Sequence, residues 1–282
     1  MPDMVAVLGA GVIGTSVAHA CLQAGHHVTL IDRKDKDWSQ VRAALRRHQR
    51  LMRFAQPDRT PVDLERLTLS EDLADAVGAG FIIENVTEEW AVKREVYDTL
   101  RVLGVKEAYI AANTSAIPIA RLGSVAPDES RVVGVHFMNP VSAIDMVEVV
   151  RGPATSDDTI QSVRAFLTAM GKKGVVVNDS PGFVINRILM EVVNQAAQLV
   201  HEGVAEPHQI DELFKGCLGH TMGPLRTADL IGIDTVVRTL DVLREALNDP
   251  MFEPSAHLLK KMRTGELGMK TGRGFYEYGK EF

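Results

Sequence analysis

Along its first 180 residues the chain alternates short apolar, β-rich runs with stretches in which apolar positions recur every three or four residues. The runs VAVLG (5–9), HVTLID (27–32), FIIEN (81–85), AYIAAN (108–113), VVGVHF (132–137), MVEVV (146–150) and GVVVN (174–178) read as strands. Helical periodicity fills 12–24, 37–54, 88–103 and 157–170. Alternation of this kind predicts a parallel sheet flanked by helices. After DSPGF (179–183) the character changes. No strand pattern returns until the last few residues, and long helical segments take over. One of them, VINRILMEVVNQAAQLVHEG, carries apolar residues at three- and four-residue intervals until Gly203 ends it. The pair Pro181-Gly182 therefore marks the expected boundary between a domain over 1–180 and a helical domain over 181–282. No repeat or low-complexity tract interrupts the pattern.

Composition narrows the class without naming it. The 282 residues are enough to bury one large core or two moderate ones, and 45% hydrophobic with 24% charged residues is ordinary for a globular protein. A net charge of −6, with a pI near 5.9, gives no general reason to expect nucleic-acid or membrane partners. No apolar run approaches the roughly 18–20 residues that span a bilayer. The start, MPDMVAVLGAG, has no basic leader and enters a strand almost at once, so a cytoplasmic protein is expected. The two cysteines, Cys21 and Cys217, lack metal-ligand spacing and are expected reduced, in helices. No metal site is expected.

The first strand and helix carry a more specific signal. VAVLGAGVIG matches G-x-G-x-x-G through Gly9, Gly11 and Gly14, after an apolar strand and before a helix, with a second strand ending in Asp32. That context is the α/β Rossmann-type dinucleotide-binding arrangement, here followed by an all-α C-terminal domain. Gly9 permits the tight turn, Gly11 lets backbone approach a pyrophosphate, and Gly14 allows close helix–strand packing. The helix N-terminus offers unpaired N–H groups to phosphate. Asp32 would bind the adenosine ribose hydroxyls and repel a 2′-phosphate, which favours NAD; Arg33 beside it keeps NADP open. FAD uses the same fingerprint and remains the rival on this segment alone.

Further along, His136 lies in VVGVHF and Glu148 in MVEVV. If the two strands turn back on each other around residues 141–143, the two side chains fall nearly opposite. A nicotinamide-dependent oxidation of a hydroxyl needs a base for the hydroxyl proton, and histidine, with its ordinary pKa near 6.5, suits that task. A carboxylate on the far ring nitrogen would fix the tautomer and stabilise the imidazolium. A buried structural His–Glu hydrogen bond fits the same residues equally well.

The segments GAGVIG, ENVTEEWAVKREV, NTSAI, GVHFMNP…VEVVRG, DSPGFVINRIL, GHTMGPL…ADLIGID and KTGRGFYEY stand in the order found in the 3-hydroxyacyl-CoA dehydrogenase family, which the chain resembles over nearly its whole length. Its size is similar to that of the short 3-hydroxybutyryl-CoA dehydrogenase type. The resemblance implies an N-terminal NAD-binding domain, a helical C-terminal domain that dimerises, and catalysis in the cleft between them. It implies His136 as catalytic base, Glu148 as its orienting partner, Ser115 on the substrate's 3-oxygen, and Asn186 placing substrate and histidine. Glu88 and Lys93 are implied at the nicotinamide end of NAD, and Asn113, heading NTSAI, joins the cofactor-binding set. Read one at a time, Ser115 is equally a helix cap, Asn186 a helix-face residue, and Glu88 with Lys93 an exposed helical pair.

Departures from the family concern the substrate. Where relatives continue Pro-Val-Met-Lys-Leu, this chain has Ser142-Ala143-Ile144-Asp145-Met146, and the common Met-Gly-Pro-Leu-Glu reads Met222-Gly223-Pro224-Leu225-Arg226. The two changes are either a compensating charge swap or unrelated surface changes. Ala116 replaces the second serine of a common NTSSL. In the family the helix after Asp32 contacts coenzyme A; here it carries Arg42, Arg46, Arg47, Arg50 and Arg53. Those arginines form either a solvated face or a phosphate-recognition face for coenzyme A or an acyl carrier protein. The substrate implied is thus a short acyl thioester of coenzyme A or of a carrier protein, the latter in polyketide extender-unit synthesis. A free hydroxy acid is the rival within enzymes, and a non-catalytic NAD-binding protein the rival outside them.

Overall fold

The computed structural model describes residues 4–55, 62–115, 117–141 and 143–279, with the side chains of 51–55 left aside. The chain divides into two compact units, Met1–Asp179 and Ser180–Phe282.

In the first unit the strands are β1 (Met4–Leu8), β2 (His27–Ile31), β3 (Leu67–Ser70), β4 (Phe81–Glu84), β5 (Tyr109–Ala112), β6 (Val132–His136), β7 (Met146–Arg151) and β8 (Lys173–Asn178). They form one sheet in the order β3-β2-β1-β4-β5-β6-β7-β8. Pairing is parallel from β3 through to β6, antiparallel between β6 and β7, and parallel again to β8. The strands from β1 to β7 are nearly continuous Val, Ile, Ala and Leu, because helices cover both faces of a parallel sheet and leave no position for polar alternation. The helices are α1 (Val12–Gln23), α2 (Trp38–Ala55), α3 (Trp90–Val102), α4 (Ile119–Gly123) and α5 (Asp157–Ala169). Val5, Val7, Val17, Leu30, Leu45, Phe81, Val133, Val149 and Phe166 belong to the core they enclose.

Two elements escape the sequence pattern. β3 is a four-residue edge strand, LTLS, half exposed along its length, and it is too short and too polar to show a period. The five-residue α4 follows Pro118, with its Ala120 N–H held by Asp179 Oδ2 at 2.8 Å.

The second unit is helical: α6 (Ile185–His201), α7 (Pro207–Leu218), α8 (Pro224–Ile231), α9 (Ile233–Leu247) and α10 (Ala256–Thr264). The three- and four-residue spacing places Met190, Val193 and Ala197 of α6 against Leu225, Val236, Leu240 and Leu258 in its core. The terminal segment GFYEY is tied down by Asp229, which accepts from the Phe275 and Tyr276 N–H groups and from the Tyr278 hydroxyl. No described helix is long and apolar enough to cross a membrane.

Candidate active site

The chain leaves β1 for β2 and β3 on one side and returns to β4 on the other. The strand order thus reverses beside β1, and open α/β sheets bind ligands at the carboxyl ends of strands at such a point. Gly9 sits there with φ +90°, a left-handed conformation, and a Cβ on it would lie 2.6 Å from the Asn85 carbonyl oxygen. A Cβ on Gly14 would lie 1.9 Å from the Gly9 carbonyl oxygen, so α1 can approach β1 only with glycine at that place. At Gly11, by contrast, a Cβ meets nothing within 4 Å. Gly11 is also the N-cap of α1 and supplies no side-chain cap to the first turn. The result is a bare, positively polarised helix start facing open space, which suits a pyrophosphate.

Two cavities flank this helix start. One, of about 660 Å³, is lined by Gly9, Gly11, Asp32, Asn85, Val86 and Thr87 among others. The Asp32 carboxylate is fixed at its edge by the Ala10 N–H (2.6 Å) and the Arg33 N–H (2.8 Å). The Arg33 guanidinium turns instead to Asp35 at 2.9 Å, so its charge is already matched. The other cavity, of about 640 Å³, lies against α2 and is lined by Gly11, Thr15, Lys36, Arg47, His48 and Arg50 among others. Val41 and Leu45 anchor α2 in the core and turn the arginines outward. Arg42 and Arg46 are exposed without lining that cavity, and the Arg53 side chain lies outside the described residues.

At the other end of the sheet β6 and β7 do turn back on each other, and His136 pairs directly with Glu148 in the antiparallel register. Direct cross-strand partners point to the same face. His136 Nδ1 and Glu148 Oε2 stand 3.1 Å apart, both side chains about 7% exposed or less. On the opposite side of the ring, Nε2 lies 3.4 Å from Ser115 Oγ. With Nδ1 donating its hydrogen to Glu148, Nε2 carries the lone pair and faces the serine.

Ser115 follows β5, in a segment tied to its neighbours by short bonds. Glu88 Oε1 accepts from the Thr114 hydroxyl and from the Ser115 N–H (2.8 Å). Asn113 donates to Asn85 Oδ1 at 2.8 Å and accepts from the Phe137 N–H at 3.2 Å. Lys93 is not an exposed helical residue. Its side chain has no exposed surface, because Nζ is drawn inward to Glu84 Oε1 (2.7 Å) and Oε2 (2.9 Å). Burial pushes the Glu84 carboxyl above its usual range, against the pull of the Lys93 charge. Sequence reasoning passed over Glu84 and Thr114. The visible signal was a carboxylate closing an otherwise apolar strand, FIIE, nine positions ahead of a lysine.

The two altered charges also find local explanations. Asp145 Oδ1 lies 3.4 Å from Nζ of Lys172, a buried lysine that donates to the carbonyls of Val141 (2.5 Å) and Ile144 (2.8 Å). Lys172 thereby clasps the loop joining His136 to Glu148. Arg226, in the second unit, lies over the rings of Tyr276 and Tyr278 at 5.2 and 5.6 Å. Each charge has its own partner, so neither needs the other as compensation. Ser142 and Ala116 lie outside the described residues. Asn186 is half-buried in the first turn of α6, in the second unit.

Comparison with known proteins decides the family. The model of the 3-hydroxyacyl-CoA dehydrogenase NAD-binding domain matches residues 4–180, and that of the family's C-terminal domain matches 182–278. The chain belongs to the 3-hydroxyacyl-CoA dehydrogenase family. It is an NAD-dependent oxidoreductase. Among its relatives is a probable 3-hydroxybutyryl-CoA dehydrogenase of Bacillus subtilis, 40% identical over 96% of both chains. Another is the 3-hydroxybutyryl-CoA dehydrogenase of Bradyrhizobium diazoefficiens, 37% identical over 97% of this chain and 94% of the relative. Among solved structures, the (S)-3-hydroxybutyryl-CoA dehydrogenase of Ralstonia eutropha superposes with a TM-score of 0.92, at 33% identity, over 99% of this chain and all of the other. Family membership resolves the cofactor in favour of NAD over FAD and makes an acyl-CoA the substrate class of this dehydrogenase.

Proposed function

We propose that this enzyme oxidises the 3-hydroxyl of a short acyl-CoA, of the 3-hydroxybutyryl type, to the 3-oxoacyl thioester, and runs the reverse reduction with the same groups. One observation carries the reading: Ser115 Oγ and Glu148 Oε2 stand on opposite nitrogens of His136, at 3.4 and 3.1 Å. The bound dinucleotide supplies a hydride acceptor. His136 Nε2 takes the hydroxyl proton, Glu148 stabilises the resulting imidazolium through Nδ1, and the Ser115 hydroxyl holds the 3-oxygen. We assign Asn186 of the second unit a substrate-placing role. Gly9, Gly11, Gly14 and Asp32 form the cofactor's cradle, with Glu88 and Asn113 ordering its nicotinamide end.

Coenzyme A is favoured over a carrier protein as the thioester's handle. Arg47 and Arg50 give the cavity beside α2 two cations for nucleotide phosphates, and Lys36, paired with Asp32 at 3.5 Å, lines it beside them. The Asp145 carboxylate, one of the departures from the family, is engaged by Lys172. A homodimer formed through the second unit belongs to the same reading, supported by the exposed Ile188, Leu213 and Leu218 on its helices. So does a cytoplasmic location, with Cys21 and Cys217 both free thiols.

The test is NADH formation from (S)-3-hydroxybutyryl-CoA, from free 3-hydroxybutyrate and from a glyceryl-carrier-protein thioester. The CoA thioester is expected to give the highest kcat/KM by at least about tenfold, one increment of 1.4 kcal/mol in transition-state binding. Preference for the carrier protein or the free acid would overturn the assignment.

A further inference from the structure

The buried lysine and glutamate beside the crevice call for an explanation beyond stability. A buried ion pair rarely makes a fold more stable than apolar residues of the same size would. Yet Glu84, at the carboxyl end of β4, and Lys93, on α3, are both without exposed surface. What distinguishes Lys93 is the direction of its contacts. Its ammonium meets both Glu84 oxygens, Glu88 Oε2 at 3.4 Å, and the Asn113 carbonyl oxygen at 3.4 Å. It thus joins the end of one strand, the loop before α3, and the segment that carries Ser115.

Glu88 lies on that loop, outside any helix or strand, and needs an anchor to keep one orientation. Lys93 draws on one of its oxygens while the other accepts from Thr114 and from the Ser115 N–H. Glu84 in turn is pinned by the Val86 N–H at 2.8 Å, so its carboxylate is fixed relative to the backbone of the crevice. Charge attraction at these distances is strong where water is excluded. From this arrangement we propose that Glu84 and Lys93 are positioning residues. Held by Glu84, Lys93 fixes Glu88, and Glu88 sets the backbone of Ser115 so that its hydroxyl faces His136 Nε2. The proposal rests on the Ser115–His136 reading above and assigns Glu84 a part in it that touches neither substrate nor cofactor.

The test uses the full-length enzyme and the double change Glu84→Gln/Lys93→Gln, which removes both buried charges together and keeps amides able to bond each other. The variant is expected to melt cooperatively and to bind NADH within about threefold of the parent, while kcat falls about tenfold or more through misplacement of Ser115. In a Ser115→Ala background the same double change is expected to cost less than about twofold, because the hydroxyl being positioned is already gone. A parental kcat in the double variant, or a loss that multiplies in full onto Ser115→Ala, would overturn the proposal. Ser115→Ala turning over at the parental rate would instead sink the underlying role of Ser115. Should the double variant not fold, Glu84→Gln takes its place. That change keeps an oxygen for the Lys93 ammonium and the Val86 N–H and removes the charge that holds the ammonium. It is expected to lower kcat in the parent and to cost less than about twofold in Ser115→Ala; equal losses in both backgrounds would refute the chain of positioning.

Discussion

Glu84–Lys93 and Glu148–His136 are both buried acid–base pairs on the same sheet, with Glu84 and His136 closing strands that flank β5. In the first, a carboxylate grips an ammonium with both oxygens, and the ammonium also reaches Glu88 and a main-chain carbonyl. Every favourable direction of the ammonium is used. In the second, the carboxylate holds one nitrogen of an imidazole whose other nitrogen faces a hydroxyl. The comparison teaches that burial and charge pairing do not by themselves mark a proton-transfer site. What sets His136 apart in the function proposed above is a second face turned toward a hydroxyl. Another buried base, His19 on α1, offers a further contrast: among the described residues its Nε2 has no hydrogen-bond partner, and its ring lies 5.9 Å from that of His48.

The sharpest way to break this comparison is His136→Gln. Losing a general base is expected to lower kcat by about 10²–10⁴-fold while NADH binding, followed by fluorescence titration, stays near the parental value. Near-parental turnover would return His136 and Glu148 to the status of a structural pair. Next in size is Lys93→Met, which leaves Glu84 buried without its counter-charge. It is expected to cost about 3–5 kcal/mol of stability in urea unfolding, the range for breaking a buried pair from one side. A loss under about 1 kcal/mol would show that the pair is screened like a surface one.

The smallest effect concerns His19, and its sign follows from proton counting. Burial first, and the nearby His48 charge second, lower its pKa from 6.5 to about 4. Between those values the unfolded chain binds a proton that the folded one does not, so stability is complete above pH 6.5 and falls as the pH drops toward 4. The loss attributable to this one group is on the order of 3 kcal/mol at pH 4. Urea midpoints of the parent and His19→Gln, compared at pH 7 and pH 4.5, check it: the parent is expected to lose more. Equal losses would mean that His19 does not titrate between those values.

Much of this was legible before any coordinates. The G-x-G-x-x-G turn, Asp32 at the end of the second strand and the helical period after residue 183 are local signals, each confined to a few dozen residues. The facing of His136 and Glu148 was nearly legible, because two adjacent apolar strands with a short connection have few ways to pair. The edge strand β3 was not, since four half-exposed residues carry no readable period. Nor were the partners of Asp145 and Arg226. Lys172 is twenty-seven residues from Asp145, and the two tyrosines beneath Arg226 are fifty and fifty-two residues away. That Lys93 is buried was hidden for the same reason: its environment is made by Glu84, Glu88 and the Asn113 carbonyl, which no helical period brings together.

By itself, then, the sequence determined the α/β unit with its dinucleotide turn, the helical unit after it, and the residue types available for hydroxyl oxidation. Those features arise from near-neighbour rules: periodicity, turn chemistry and the conformational freedom of glycine. Only the tertiary structure decided which charges are buried and what each one faces. Desolvation and pairing depend on segments far apart in the chain being brought within a few ångströms, and that is why Lys93 turned from a surface contact into the hub of a buried network.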